Sequence, residues 1–252
     1  MKSKVENILN RFDTIGLEEI REAGLMKRID SKFIFHKETL AEIIEKLCDD
    51  YTILTIDNKN WFNYKSLYFD TENFDFYRQH HNGKIHRHKV RYRQYVDSNL
   101  SFLEVKERQN RIVSKTRIRT DELSEKLATK ENSFVTNQLG KKATLFPKIW
   151  SDYRRFTLIA KNGQERVTFD TSLVFYNNED SINFDNVAIA ELKQARIDRN
   201  SVFYNVVKEL RIRPFRISKY CVGVASLHTN STIKRNNFKM KLIKLNQINN
   251  AN

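Results

Sequence analysis

The 252-residue chain contains few residues that interrupt regular structure: two prolines and six glycines. Their scarcity favours long, regular helices and strands. Only Cys48 and Cys221 carry thiols, which excludes a disulfide framework, so we expect buried thiols in a reducing compartment. The N-terminus has no apolar run typical of a signal peptide, and no stretch of about eighteen apolar residues follows. We therefore expect a cytoplasmic protein without a membrane span.

Positive charge, in contrast, is abundant. Lys and Arg number 45 against 31 Asp and Glu, for a net charge of +14. This excess predicts an anionic partner: nucleic acid, a phosphate compound or a membrane surface. The acidic residues are interspersed and aromatics reach 12%, which favours a packed core over a basic disordered chain. No repeat or composition break divides the sequence, so we predict one domain over residues 1–252, with a basic, mobile tail from about residue 230.

Charged residues alternate with apolar ones in three consecutive segments, 89–95, 102–108 and 111–119. A β-strand projects alternate side chains to opposite faces, so each segment predicts a strand with one charged and one apolar face. The basic residues expected on the charged faces are Lys89, Arg91, Arg93, Lys106, Arg108, Lys115, Arg117 and Arg119. A sheet of this kind is suited to holding a polyanion.

Two further strands flank Asn162-Gly163, a pair typical of a type I′ hairpin turn. The pairing expected from such a turn joins Ile159 with Arg166, Thr157 with Thr168, and Arg155 with Asp170. One face of the hairpin is then cationic and polar, and the other is apolar. Residues 187–195 predict another strand, with Glu191 and Lys193 on one face.

About eight strands are expected, with helices between them. The helices are predicted over 4–22, 38–49, 120–139 (with Thr120 as N-cap), from Val202 to Leu210, and over 216–227. An α+β fold follows, in which an antiparallel eight-stranded β-barrel closes with helices packed outside and charged faces inward. The alternative is an open sheet with its charges in solvent. The excess of Arg and Lys on these faces, recurring in separate hairpins, favours the barrel.

Seven segments in order carry a family resemblance: SKFIF (31–35), SLYFDT (66–71), HNGKIHRHKVRYRQY (81–95), FLEVKERQNRIVSKTRI (102–118), YRRFTLIAKNGQERVTFDT (153–171), AIAELK (188–193) and RISKYCVG (216–223). Together they resemble the vacuolar transporter chaperone (VTC) domain, the polyphosphate polymerase branch of the CYTH-like triphosphate tunnel metalloenzymes. The resemblance covers about residues 24–227, leaving a helical segment, 1–23, and a basic tail, 228–252. It implies a tunnel barrel that makes polyphosphate from ATP with a divalent metal, Mn²⁺ or Mg²⁺.

The resemblance also implies roles for single residues. The catalytic positions are Arg91, Arg93, Lys106, Arg155 and Lys219. The substrate-binding positions are Lys32, Lys115, Arg166 and Arg216, and the metal ligand is Glu191. The acidic opening motif of the wider superfamily appears here as Arg28, Asp30 and Lys32, with one acid lost. The second metal ligand therefore stays open.

Two other functions remain possible from the sequence: an inorganic triphosphatase or polyphosphatase of the same fold, and a non-enzymatic polyanion- or nucleic-acid-binding module. The second needs exposed basic surface with stacking aromatics. Because the basic residues here alternate with apolar ones inside strands, a tunnel is favoured over a nucleic-acid-binding surface, and we expect no nucleic acid. The resemblance implies ATP and inorganic polyphosphate as partners.

Four histidines cluster at His80, His81, His86 and His88. No cysteine lies near them, and their spacing fits no closed zinc site. We therefore expect an anion contact in a loop or at the tunnel mouth.

Overall fold

A computed structural model describes residues 4–22, 29–110, 112–228 and 233–251. Its strands, all in one sheet, are β1 (Asp13–Ile15), β2 (Ile29–His36), β3 (Tyr51–Leu54), β4 (Phe62–Asp70), β5 (His86–Tyr95), β6 (Leu100–Gln109), β7 (Ile112–Thr120), β8 (Phe146–Ala160), β9 (Glu165–Tyr176), β10 (Ser181–Phe184) and β11 (Val187–Gln194). The main path runs β2-β11-β9-β8-β4-β5-β6-β7, with every neighbouring pair antiparallel. This confirms the predicted antiparallel eight-stranded sheet, which curls into a half-barrel.

The helical regions predicted from the sequence contain helices with shorter bounds, and the structure adds helices at 75–81 and 239–249. They are α1 (Lys4–Leu9), α2 (Leu17–Glu22), α3 (Thr39–Glu45), α4 (Asp75–His81), α5 (Thr129–Leu139), α6 (Val202–Glu209), α7 (Lys219–Leu227) and α8 (Lys239–Asn249). Among the described helices, none is long and apolar enough to cross a bilayer.

Helices cover the convex face of the sheet and bury its apolar side chains. At one end, Phe156 and Phe169 pack with residues of α3 and α6. At the other, Val90 and Leu103 pack with residues of α4 and α5, among them Val135. These contacts place helices outside the half-barrel, as predicted, and leave the charged face of each strand on the concave side.

Helix α7 closes one end of the concave side. Its buried residues pack with Ile34 and Ile189, which alternation places on the same face as Lys32 and Glu191. The extended chain before α7 runs beside β2, where Phe215 N donates to Lys32 O at 2.6 Å. The concave side therefore has a charged part and an apolar, helix-filled part.

The β8–β9 hairpin has the predicted pairing but a different turn. Ile159 lies opposite Arg166, Thr157 opposite Thr168 and Arg155 opposite Asp170. Gly163 adopts a left-handed conformation with φ of 70°, whereas Asn162 is not among the positive-φ residues. A type I′ turn needs both in that region, so the predicted turn type is wrong. Gly163 N donates to Ala160 O instead, at 2.8 Å.

Helix α5 begins later than expected. Thr120 is the last residue of β7, opposite Ser101 of β6, so it is not an N-cap. Pairing with β6 extends the strand through Thr120 and delays the helix until Thr129. The N-terminal segment also differs from the prediction of a helical region over 4–22. Strand β1 separates α1 from α2 there and pairs in parallel with β3.

The C-terminal tail, expected to be mobile, is largely a docked helix where it is described. Leu245 and Ile248 of α8 are buried in the cluster that contains α7. Asn249 accepts from the backbone N–H of Asn186 at 3.1 Å. The basic composition of this segment obscures an apolar stripe on α8. That stripe packs against the end of the sheet and α7.

Truncating Leu245 tests this docking. We expect Leu245→Ala to lower the free energy of unfolding by about 2–4 kcal/mol, because it leaves a cavity in a closed core. Met240 of the same helix is 73% exposed, so Met240→Ala should cost less than about 1 kcal/mol. Urea unfolding of both variants measures the difference; equal, small effects would show that α8 is not docked in solution.

Candidate active site

A cavity of about 430 Å³ occupies the charged part of the concave side. In the described part of the chain, ten basic side chains and three carboxylates line it, so it carries a large excess of positive charge. The basic residues are Lys32, Lys89, Arg91, Arg93, Lys106, Lys115, Arg155, Arg166, Lys193 and Lys219. The acidic residues are Asp30, Glu104 and Glu191. All but Lys219 lie on strands, which present alternate residues inward.

Every site residue predicted from the sequence lines this cavity except Arg216. The neighbours of Arg216 in the chain, Phe215 and Ile217, pack against the core around α7. Arg216 between them is exposed and lies near Arg87 and Lys241. This placement does not support the phosphate contact expected of it. Arg28, the first residue of the expected opening motif, lies outside the described residues.

Glu104 fixes the guanidinium of Arg91. The Nε and Nη2 atoms of Arg91 donate to Glu104 Oε2 at 2.9 and 2.7 Å, and Lys115 Nζ lies 2.5 Å from Oε1. Burial alone would raise the pKa of Glu104, but Arg91 and Arg93 hold that pKa well below its usual value. The carboxylate stays ionised and orients two cations from neighbouring strands.

Asp170 plays the same part on the other side of the half-barrel. It lies opposite Arg155 across the β8–β9 ladder, and Arg155 Nη2 donates to Asp170 Oδ2 at 2.8 Å. Lys219, the first residue of α7, donates to the same oxygen. Although burial opposes ionisation, Arg155 and Lys219 hold the pKa of Asp170 far below its usual range. One carboxylate thus joins a strand cation to the helix that closes the cavity.

Glu191 lies between two lysines. Lys32, directly opposite on β2, donates to Glu191 Oε2, and Lys193 Nζ lies 2.7 Å from Oε1. Burial would raise the pKa of Glu191, but Lys193 and Lys32 hold it well below its usual value. Asp30, opposite Lys193 on β2, lines the same cavity. Two carboxylates on adjacent strands therefore face one space.

Four of the cavity lysines named above have depressed pKa values. Burial lowers the pKa of Lys89, Lys115 and Lys193 to about 8 each, because a desolvated ammonium is costly. Burial also lowers the pKa of Lys106. A bound polyanion would offset this cost, so the protonated lysines are poised for an anionic ligand.

Tyrosines hold the arginines in place. Arg91 Nη1 donates to Tyr68 Oη at 3.0 Å, and Arg93 Nη2 donates to Tyr153 Oη at 3.0 Å. The Tyr64 ring stacks on Tyr153, with centroids 5.2 Å apart. Such contacts fix guanidinium planes before a ligand arrives, which favours bidentate phosphate binding.

The sequence-based site omitted several cavity residues. Lys89 and Lys193 share faces with Arg91 and Glu191, so alternation could have included them. Tyr64 and Tyr68 follow the same period in β4, but nothing in the sequence distinguishes which face of that strand turns inward. The histidine cluster does not line the cavity, as far as the described residues extend.

Comparisons with solved structures find distant resemblances. A protein from Hippeastrum, described as a putative adenylyl cyclase with a dominant triphosphatase activity, shares 13% identity over 80% of this chain and 96% of its own, with a TM-score of 0.49. A putative adenylate cyclase from Vibrio parahaemolyticus shares 10% over 77% of this chain and 96% of its own, with a TM-score of 0.47. No curated protein sequence matches the chain significantly.

The family match is more extensive. The VTC domain family matches residues 27–228, a range that holds every strand lining the cavity as well as Lys219. The curled antiparallel sheet and its cationic concave face agree with the tunnel fold implied by the sequence resemblance. The chain therefore belongs to the VTC domain family, the polyphosphate-related branch of the triphosphate tunnel proteins.

Proposed function

We propose that the chain is a metal-dependent polyphosphate polymerase, which transfers the γ-phosphoryl group of ATP to a growing polyphosphate chain. The observation that carries this proposal is that ten cations of the described residues converge on a cavity of about 430 Å³. An ATP triphosphate brings about four negative charges, and a polyphosphate chain brings about one more for each added unit. A ligand of that charge density would offset the desolvation of so many cations.

The arginines and lysines would divide the binding. Arg91, Arg93 and Arg155 present planar donors suited to two phosphate oxygens at once. Lys106 and Lys219 act as point charges that follow oxygens during transfer. Because carboxylates and tyrosines already orient these guanidinium groups, little reorganisation accompanies the developing charge of the transition state.

Transfer needs no protein nucleophile. The attacking atom is a terminal oxygen of the acceptor polyphosphate, which is already ionised, and ADP leaves as the new P–O bond forms. Among the described residues, neither cysteine nor histidine lines the cavity. This lining supports catalysis through alignment and electrostatics, which dominate phosphoryl transfer.

The donor chemistry of the cavity fits a hard divalent cation. Glu191 would hold it, with Asp30 on the adjacent strand as a second oxygen donor and the lysines beside Glu191 turning to phosphate oxygens. When bound, Mg²⁺ or Mn²⁺ supplies positive charge to the phosphate oxygens. The chain's own part is to hold Glu191 ionised, which Lys193 and Lys32 do by keeping its pKa low.

Incubation of the purified chain with ATP and Mn²⁺ tests the proposal. We expect ADP release matched by polyphosphate of increasing length on gels. Orthophosphate release without chain growth would identify a triphosphatase or polyphosphatase instead. If neither product forms with varied pH and primer, the enzymatic proposal fails and binding of polyanions alone remains.

Adjacent arginines on opposite faces of β8 provide a matched test of the cavity. Arg155 lines it, whereas Arg154 is exposed and lies 4.9 Å from the Trp61 ring. We expect Arg155→Gln to lower kcat/KM for ATP by at least about 100-fold, since it removes a preorganised donor. Arg154→Gln should change it by less than about twofold. Similar losses in both, with thermal unfolding unchanged, would contradict the assignment.

The depressed lysine pKa values predict a pH dependence. Lys89, with a pKa of about 8, loses its charge as the pH rises, so kcat/KM for ATP should fall above about pH 8. Lys89→Arg keeps the charge and should make this decline shallower. Lys161, which pairs with Asp13 outside the cavity, offers the control Lys161→Arg, expected to leave the profile unchanged. A flat wild-type profile up to about pH 10 would refute the prediction.

A further inference from the structure

Two of the clustered histidines lie on the convex face of the sheet, away from the cavity. His86 and His88 are two residues apart in β5 and therefore share a face with Val90, which is buried under α5. Lys89, on the opposite face, lines the cavity. The anion contact expected from the sequence at the tunnel mouth is not supported by this position.

Glu107 brings a carboxylate to both rings. It lies directly opposite His88 across the antiparallel β5–β6 ladder. Glu107 Oε1 is 2.7 Å from His86 Nε2 and 3.6 Å from His88 Nε2, and one donor atom from each of the three residues lies within 4.8 Å of the others. Donor atoms around a tetrahedral zinc ion are about 3.3 Å apart, given bonds of about 2.0–2.1 Å. The spacing of the three residues is thus close to that of a zinc site.

One donor of the cluster has no hydrogen bond. The Nε2 atom of His88 is buried and lacks such a partner within the described residues. His88 is only 7% exposed, with the Phe76 ring of α4 6.1 Å from its own. An unsatisfied buried nitrogen carries a free-energy cost, which a metal ion would remove. The His86 side chain is 54% exposed, so the cluster is open to solvent on one side.

We propose that His86, His88 and Glu107 form a Zn²⁺ site on the convex face of the sheet, separate from the phosphate cavity. Two imidazoles and one carboxylate form a donor set suited to zinc, whereas Mg²⁺ and Ca²⁺ prefer oxygen donors alone. The solvent-exposed side leaves the fourth position for water. The ion would link the first residues of β5 to the last residues of β6. The site is independent of the proposed polymerase activity.

Calorimetric titration of the chelator-treated full chain with ZnCl₂ tests the site. We expect one zinc ion per chain and a higher thermal midpoint with zinc, because the ion binds only the folded state. His86→Ala, at an exposed position, and Glu107→Gln should each weaken binding by more than about tenfold, since even outer partners of metal ligands contribute about that much.

Two control variants locate the ion. His36 and Glu38 form a histidine–carboxylate pair, with His36 Nδ1 3.7 Å from Glu38 Oε2, but among the described residues no second histidine joins them. Glu191 lies in the cavity. His36→Ala and Glu191→Gln should both retain zinc binding. The proposal is overturned if the unaltered chain takes up no zinc, if uptake survives His86→Ala or Glu107→Gln, or if either control abolishes it.

Discussion

The structure depends on holding many cations close together around one cavity. Cations this close repel one another, and each loses hydration when it is buried. Three buried or half-buried carboxylates, Glu104, Asp170 and Glu191, offset this cost, because each contacts at least two cations and these come from different elements. The carboxylates number too few to neutralise the cavity. The excess positive charge that remains favours binding of an anion. The same ion pairs that stabilise the fold therefore also set the charge that the cavity presents to a ligand.

The apolar faces of the same strands make this arrangement possible. Alternation separates charge from hydrophobic area within each strand, so helices can cover the apolar convex side. Helix α7 has a double role, because its apolar residues close one end of the concave side while Lys219 at its first turn faces the charge. The contact between Lys219 and Asp170 therefore links closure of the half-barrel to the geometry of the site.

Much of this was readable from sequence wherever the signal was local and periodic. The period of two assigned the faces of β5 and β6 and of the hairpin that pairs Arg155 with Asp170. Signals failed where tertiary contacts decide the outcome. Pairing with β6 makes Thr120 part of a strand instead of a helix. Packing of α8 orders the basic tail. Phe215 and Ile217 pack against the core, so Arg216 between them points to solvent. The cluster of His86, His88 and Glu107 was missed because Glu107 lies next to His88 only through the register of β5 and β6. The spacing of these residues along the chain does not reveal that register.

The central claim is that the cavity cations surround a triphosphate. A crystal structure of the chain with a non-hydrolysable ATP analogue and Mn²⁺ tests it directly. We expect phosphate oxygens within hydrogen-bonding distance of Arg91, Arg155 and Lys219, inside the half-barrel. An analogue bound on the outer surface, with the cavity holding only water, would contradict it.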